Sequence, residues 1–251
     1  MNRPYLMDDS FRKLARSLSA RSDWQCEAAR AELAELLPRL PQTIDHTLLK
    51  PEATASDVRK HCEQAQRYPF AVVCLFPVWL DVAREVLADT VPLCSVIGFP
   101  SGCIPAALKA REAEYAVAHG AIELDMVWHI GAALANDWRA IRADVRAVVQ
   151  AAGDAFVKVI LETAALPDDI IAAGALVCVE AGAAFVKTST GFHPAGGASE
   201  DAVGKLRAAV GDRAGVKAAG GIRDLRTALR MIAAGADRIG TSSGISILQA
   251  L

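Results

Sequence analysis

Three lysines interrupt apolar runs in this chain: FVKVIL around Lys158, FVKTST around Lys187 and GVKAAG around Lys217. An ammonium group inside a run that reads as a buried strand is unfavourable unless it is paired or put to use. One lysine at a strand end more often reaches back to water than does chemistry. Three on consecutive strands change that reading, because neighbouring strands lie about 4.8 Å apart. Two ammonium groups about 5 Å apart, at an effective dielectric of about 20, repel by roughly 3 kcal/mol. That lowers the pKa of one of them by about two units, and partial burial acts the same way. A lysine that is neutral part of the time attacks carbonyl carbon and forms a Schiff base. Asp125, in IELDMVW, is the carboxylate expected to offset part of the repulsion and to move protons.

Such convergence requires a scaffold that aims several strand ends at one volume. From residue 42 onward, short apolar or β-branched runs alternate with Ala-rich helical segments. The expected strands are 43–47, 71–76, 92–99, 122–128, 156–162, 184–189, 215–219 and 237–242. AHGAIELD, EAGAAFVK and AAGADRIG each end a helix on glycine and open a strand, which marks a repeating helix–strand unit. Strands buried on both faces and joined by helices form a parallel sheet. Eight of them in this length predict a (β/α)8 TIM barrel over 41–251, with an N-terminal helical extension over 1–40. An open doubly wound sheet fits less well, since the first strand runs into DHTLLKPEAT, which has no glycine. The extension, FRKLARSLSARSDWQCEAARAELAELLPRL, has apolar residues at helical spacing and reads as one or two helices that pack on the barrel or on a dimer partner, with a regulatory arm as the alternative.

Barrel active sites lie at the C-terminal ends of the strands. The residues expected there are Asp45 and Thr47 on the first strand, Cys74 on the second, Asp125 on the fourth, and Lys158 and Glu162 on the fifth. Lys187, Lys217 and the pair Ser242 and Ser243 follow on the last three. Each has a plainer role open to it: Asp45 as a helix cap, Cys74 as a packed thiol, Glu162 as a partner for Lys158. The loops after strands seven and eight, AAGGIRD and GTSSGISIL, carry Gly220, Gly221, Ser242 and Ser243. Glycine-lined backbone and a helix start suit a phosphate group, and Gly191 after Lys187 offers a third backbone contact.

The bulk composition narrows the partners. The chain has 251 residues, 53% of them apolar, and a net charge of −2, which argues against nucleic acid or an anionic membrane as the main partner. Six cysteines without C-x-x-C spacing read as thiols of a reducing compartment rather than as disulfides or a zinc site. The N-terminus lacks a secretory pattern and the longest apolar stretch, 170–179, is too short to span a bilayer, so a cytoplasmic location is expected. Neither a metal cluster nor a nucleotide fingerprint is visible, and no cofactor is expected. The residues so far leave open a lysine-dependent barrel aldolase or transaldolase and a sugar-phosphate-binding barrel without catalysis.

IDHTLLKPEAT, VIGFPSG, ELDMV, FVKTSTGF, VKAAGG and RIGTSSG, in that order across about residues 42–248, resemble the motifs of the deoxyribose-phosphate aldolases. The resemblance implies a metal-independent barrel enzyme that reversibly cleaves 2-deoxy-D-ribose 5-phosphate to acetaldehyde and D-glyceraldehyde 3-phosphate. It implies Lys187 as the Schiff-base lysine, Lys217 as the neighbour that lowers its pKa and Asp125 as the proton-transfer residue. Asp45 and Lys158 then belong to the surrounding hydrogen-bond network. Gly191, Gly220, Gly221, Ser242 and Ser243 fall on phosphate-contacting positions, and a homodimer is the implied assembly. The chain departs from the pattern at Trp128 and His129 and at His193 and Pro194. Its only tyrosines are Tyr5, Tyr68 and Tyr115, so a tail tyrosine that assists proton transfer is not expected.

Overall fold

The computed structural model describes residues 5–249. The strands are β1 Ile44–Leu48, β2 Val72–Leu75, β3 Leu93–Ile97, β4 Ala121–Val127, β5 Phe156–Ile160, β6 Phe185–Lys187, β7 Gly215–Ala219 and β8 Arg238–Thr241. They pair in parallel, in chain order, and β8 closes on β1. The expected runs at 92–99, 184–189 and 237–242 are each longer than the strand that forms. Their last residues leave the ladder to build the loops above the barrel, as at Gly98, which turns with φ 62°.

Helices alternate with the strands: α3 Ala55–Ala65, α4 Leu80–Leu87, α5 Ala106–Ala118, α6 Ile130–Leu134, α7 Trp138–Ala152, α8 Asp168–Glu180, α9 Glu200–Val210, α10 Leu225–Ala234 and α11 Gly244–Gln249. Local chemistry sets their starts. Thr54 and Asp57 form a reciprocal capping box on α3, Ser199 caps α9 and Asp224 caps α10. Asp45 therefore does not cap the first barrel helix; it is fully buried inside the barrel.

Two hydrophobic regions result. The larger lies between barrel and helices; the smaller fills one side of the lumen with Val72, Cys74, Cys94 and Val96 under Leu49. The extension joins the larger one. Its helices are α1 Asp9–Ala20 and α2 Glu27–Leu36. Phe11, Ala15 and Leu18 recur along one face of α1 and are buried, and α1 packs against α10. Asp237, just before β8, ties this corner: it accepts from Met7 N at 3.0 Å and Val216 N at 2.9 Å, and pairs with Arg12 and Arg207.

Trp128, at the end of β4, is fully buried and donates from Nε1 to Leu161 O at 2.8 Å. Its ring lies against α8 at Gly174, where an added Cβ would sit 2.4 Å from Cη2. Glycine inside a helix is ordinarily weaker than alanine by about 1 kcal/mol. Here the order reverses: Gly174→Ala is expected to destabilise the protein by about 1–3 kcal/mol in urea unfolding, because Trp128 must move or strain. Asp237→Ala leaves two guanidinium groups without their buried carboxylate, and the same measurement is expected to show a loss of about 3–5 kcal/mol.

Candidate active site

Side chains alternate across a strand, so one face of each fills the lumen. Inward positions are Asp45, Cys74, Cys94, Glu123, Asp125, Lys158, Phe185, Lys187, Lys217 and Arg238. The pairing between β3 and β4 shifts by one residue after Leu93, and Cys94 then opposes Glu123 while Val96 opposes Asp125. Lys187 is the last residue of β6, whereas Lys158 and Lys217 are the middle residues of five-residue strands. The three lysines thus stand at different depths rather than together at the strand ends.

Asp125 is what they share. Its Oδ2 accepts from Lys187 Nζ at 2.7 Å and from Lys217 Nζ at 2.6 Å, and its Oδ1 accepts from Lys158 Nζ at 2.9 Å. With two amines on one oxygen, the nitrogens of Lys187 and Lys217 are far closer than a Debye length of about 8 Å. Carboxylates sit between the deeper cations as well. Lys217 also pairs with Asp45, and Lys158 reaches Glu123 at 2.5 Å and Asp45 at 3.7 Å. Arg238 closes the column from below, donating to Asp45 at 2.7 Å and to Glu123 at 3.2 Å.

The protonation states follow from these partners. Burial alone pushes the Asp125 carboxyl up, but Lys158, Lys187 and Lys217 together hold it well below the usual carboxylate range. Asp45 is likewise brought low against burial by Lys217, Arg238 and Lys158. Burial pushes the amines of Lys158 and Lys217 down, yet the surrounding carboxylates, Asp125 first, hold both above the usual lysine value. This revises the picture of bare cations repelling one another: the deeper two lysines are firmly charged. What remains is a count. Among the described residues, the lumen carries four basic side chains and three carboxylates, so one positive charge has no counterion of its own.

Cys74 and Cys94 oppose each other on β2 and β3. Burial pushes the Cys94 thiol up, while its hydrogen bond to Cys74 brings the latter's down. Together with Asp125 they bring three metal-ligand atoms within 4.8 Å. Three lysine amines, those of Lys158 and Lys217 charged, already engage that carboxylate, and Lys158 Nζ lies 3.5 Å from Cys94 Sγ, so the cluster fits a cation poorly.

Above Lys187 opens a cavity of about 240 Å3 lined by Thr47, Lys50, Thr190, Gly191, Gly220, Gly221, Arg223 and Ser242, among others. Gly191 and Gly220 adopt φ of 84° and 90°, and an added Cβ on Gly220 would stand 3.0 Å from Gly197 Cα. Glycine lets the β6 and β7 loops touch main chain to main chain; Ala198 N donates to Gly220 O at 3.0 Å. Ser243 stands apart from Ser242: its N–H donates to Thr241 Oγ1 at 2.9 Å, and it precedes α11. Cys74 lies deeper, in the apolar side of the lumen. Glu162 does not meet Lys158. With φ 61° it turns away from the strand line and accepts from Thr190 N and Oγ1, at 3.2 and 2.5 Å, bracing the loop after Lys187.

Glu123, Cys94 and Arg238 escaped the sequence reading, although a signal existed. Glu123 is two residues before Asp125, and Arg238 two before Gly240, where an added Cβ would stand 2.9 Å from Lys217 Cε, so alternation places both inside the barrel. The unusual histidines serve loops: His129 accepts from Ala132 N to cap α6, and His193 Nδ1 accepts from Ala195 N at 3.1 Å. Among the described residues lining the cavity there is no tyrosine.

The chain is similar to known proteins over most of its length. A deoxyribose-phosphate aldolase of Brevibacillus brevis is 48% identical over 206 residues, covering 82% of this chain and 93% of its own. A solved putative deoxyribose-phosphate aldolase from Coccidioides immitis superposes with a TM-score of 0.83 at 35% identity, covering 98% of both chains. The tetrameric deoxyribose phosphate aldolase from Aeropyrum pernix gives a TM-score of 0.80 at 35% identity and covers 97% of both. Both structures extend over α1 and α2, which therefore have counterparts there. The family described as DeoC/LacD family aldolase matches residues 40–250, and the chain belongs to it.

Proposed function

We propose that this protein is a class I deoxyribose-phosphate aldolase, cleaving 2-deoxy-D-ribose 5-phosphate reversibly to acetaldehyde and D-glyceraldehyde 3-phosphate through a Schiff base on Lys187. The observation that carries this reading is the sharing of one Asp125 oxygen by Lys187 and Lys217 at the floor of a glycine-rimmed cavity. Lys187 has the single counterion that two other amines also use, and it faces the cavity.

Neutral Lys187 Nζ attacks C1 of the open-chain aldehyde. The Lys217 ammonium gives a proton to the carbinolamine hydroxyl, which leaves as water, and the nitrogen lone pair forms the iminium. Lys217, now neutral, takes the C3 hydroxyl proton directly or through water. The C2–C3 electron pair moves into the iminium as glyceraldehyde 3-phosphate leaves. Lys217 returns its proton to the enamine carbon; water then adds to the iminium carbon, its released proton restores the Lys217 ammonium, and the carbinolamine collapses to acetaldehyde and neutral Lys187. Asp125 stays ionised and holds the three amines in place, so it steadies the iminium rather than storing a proton. Gly191, Gly220, Gly221 and Ser242 are assigned to the phosphate, which orients C1 over Lys187. Thr47 borders the sugar, and Asp45, Lys158 and Cys74 support the lumen beneath it. Ser243 is assigned to the same loop, acting through its side chain, since its N–H is engaged.

A cytoplasmic location and assembly as a homodimer complete the reading. The six cysteines are all unpaired, in keeping with a reducing compartment. Among the described residues, no helix is long and apolar enough to cross a membrane.

Incubation with acetaldehyde followed by borohydride reduction is expected to add an ethyl group to Lys187 alone, read by peptide mass spectrometry; an unmodified Lys187 rejects the mechanism. Lys217→Leu removes one cation and leaves Asp125 to pair more closely with Lys187. Its turnover is expected to fall at least a hundredfold at neutral pH, with part regained as pH rises; a pH profile parallel to that of the parent enzyme would contradict the charge argument.

A further inference from the structure

The lowest charged layer of the lumen has no part in the steps above. Arg238 enters from β8 at the end of the column away from the substrate cavity. It is 8% exposed and borders a separate cavity beneath the barrel, lined also by Arg39, Thr43 and Asp237. Nη1 donates to Asp45 Oδ1 at 2.7 Å and Nη2 to Glu123 Oε1 at 3.2 Å, while the guanidinium lies 5.6 Å from the Phe185 ring centroid.

We propose that Arg238 is a positioning residue that selects, by charge alone, which amine of the lumen surrenders its proton. The groups facing the column are Asp45 from β1, Cys74 from β2, Cys94 from β3, Glu123 and Asp125 from β4, Lys158 from β5, Lys187 from β6, Lys217 from β7 and Arg238 itself. Lys50 and Arg223 stand at the rim above, in solvent; Arg39 and Asp237 lie below, paired with Asp8 and with Arg12 and Arg207. With neutral thiols the column holds one surplus positive charge. A guanidinium does not deprotonate in proteins, so the surplus is relieved at an amine. Lys158 has Asp125, Glu123 and Asp45 within 4 Å, and Lys217 has Asp125 and Asp45. Lys187 has Asp125 only, and shares it. The surplus therefore falls on Lys187.

Without Arg238 the column would balance at three and three. Asp45 and Glu123 would turn wholly to Lys217 and Lys158, and Asp125 would be freed to hold the Lys187 ammonium. Glu123 acts in the opposite sense: its removal adds to the surplus. Arg238 thus never touches substrate, yet fixes the pH range over which the nucleophile exists.

This inference rests on the Schiff-base reading, and two readouts keep their failures apart. Borohydride trapping of acetaldehyde on Lys187, in parent and variants at alkaline pH, reports the Schiff base itself; its absence from the parent sinks that reading. The acid limb of the kcat/KM profile reports Arg238. In Arg238→Gln the limb is expected to move up by about one pH unit, which is about a tenfold lower rate on the slope, recovered when alkaline. Arg238→Lys keeps the charge and keeps the limb near its parent position. Glu123→Gln moves the limb toward acid, and the double variant Arg238→Gln/Glu123→Gln brings it back. Trapping that persists while all these limbs coincide overturns the role of Arg238 and leaves the aldolase reading intact. Should Arg238→Gln fail to fold, Glu123→Gln and the double variant decide the matter by the same two limbs.

Discussion

One carboxylate, Asp125, engages three lysine amines in a fully buried lumen, and the rest of the structure exists around that arrangement. Buried charges are tolerated only when paired, so each lysine demands a partner at hydrogen-bond distance. The chain supplies those partners from β1 and β4 and a fourth cation from β8, all by strand alternation. The cost of gathering them is borne by the large apolar layer between barrel and helices. The charge imbalance that survives is a single positive charge among the four cations and three carboxylates of the lumen.

The barrel divides its lumen between two kinds of surface. Toward β2 and β3 it is lined by Val72, Cys74, Cys94 and Val96; toward β4 to β8 and β1 it is charged. A low-polarity wall beside the charges keeps the local dielectric down and makes each ion pair count for more. Above this floor the loops are shaped by backbone. Gly191, Gly197 and Gly220 bring two loops into direct main-chain contact, and Glu162 braces the β6 loop from beneath. The charges of the lumen and the loops that shape the cavity are therefore set by different elements.

Much of this was legible in the residues. The alternation of apolar runs with Gly-terminated helices carries the eight-stranded barrel, and the three lysines stand out because charges are rare in such runs. Period-2 alternation also marks Glu123 and Arg238, but both lie near strand starts, where attention to strand ends passes over them. Depth was harder to read. Barrel stagger puts Lys158 and Lys217 below Lys187, and stagger depends on register, which no single strand encodes. Glu162 shows the same limit: its left-handed turn out of the strand line is a property of the loop, set by Thr190 across the gap. The main-chain contact at Gly197 likewise needs two loops at once.

The corner at Asp237 joins residues more than two hundred positions apart: Met7 just before the first helix and Arg12 within it meet Asp237, just before the last strand. Until α10 exists, the face of α1 that packs against it has nothing to cover it. Docking of α1 is therefore a contact between segments far apart in the chain, the kind whose loop-closure cost slows folding.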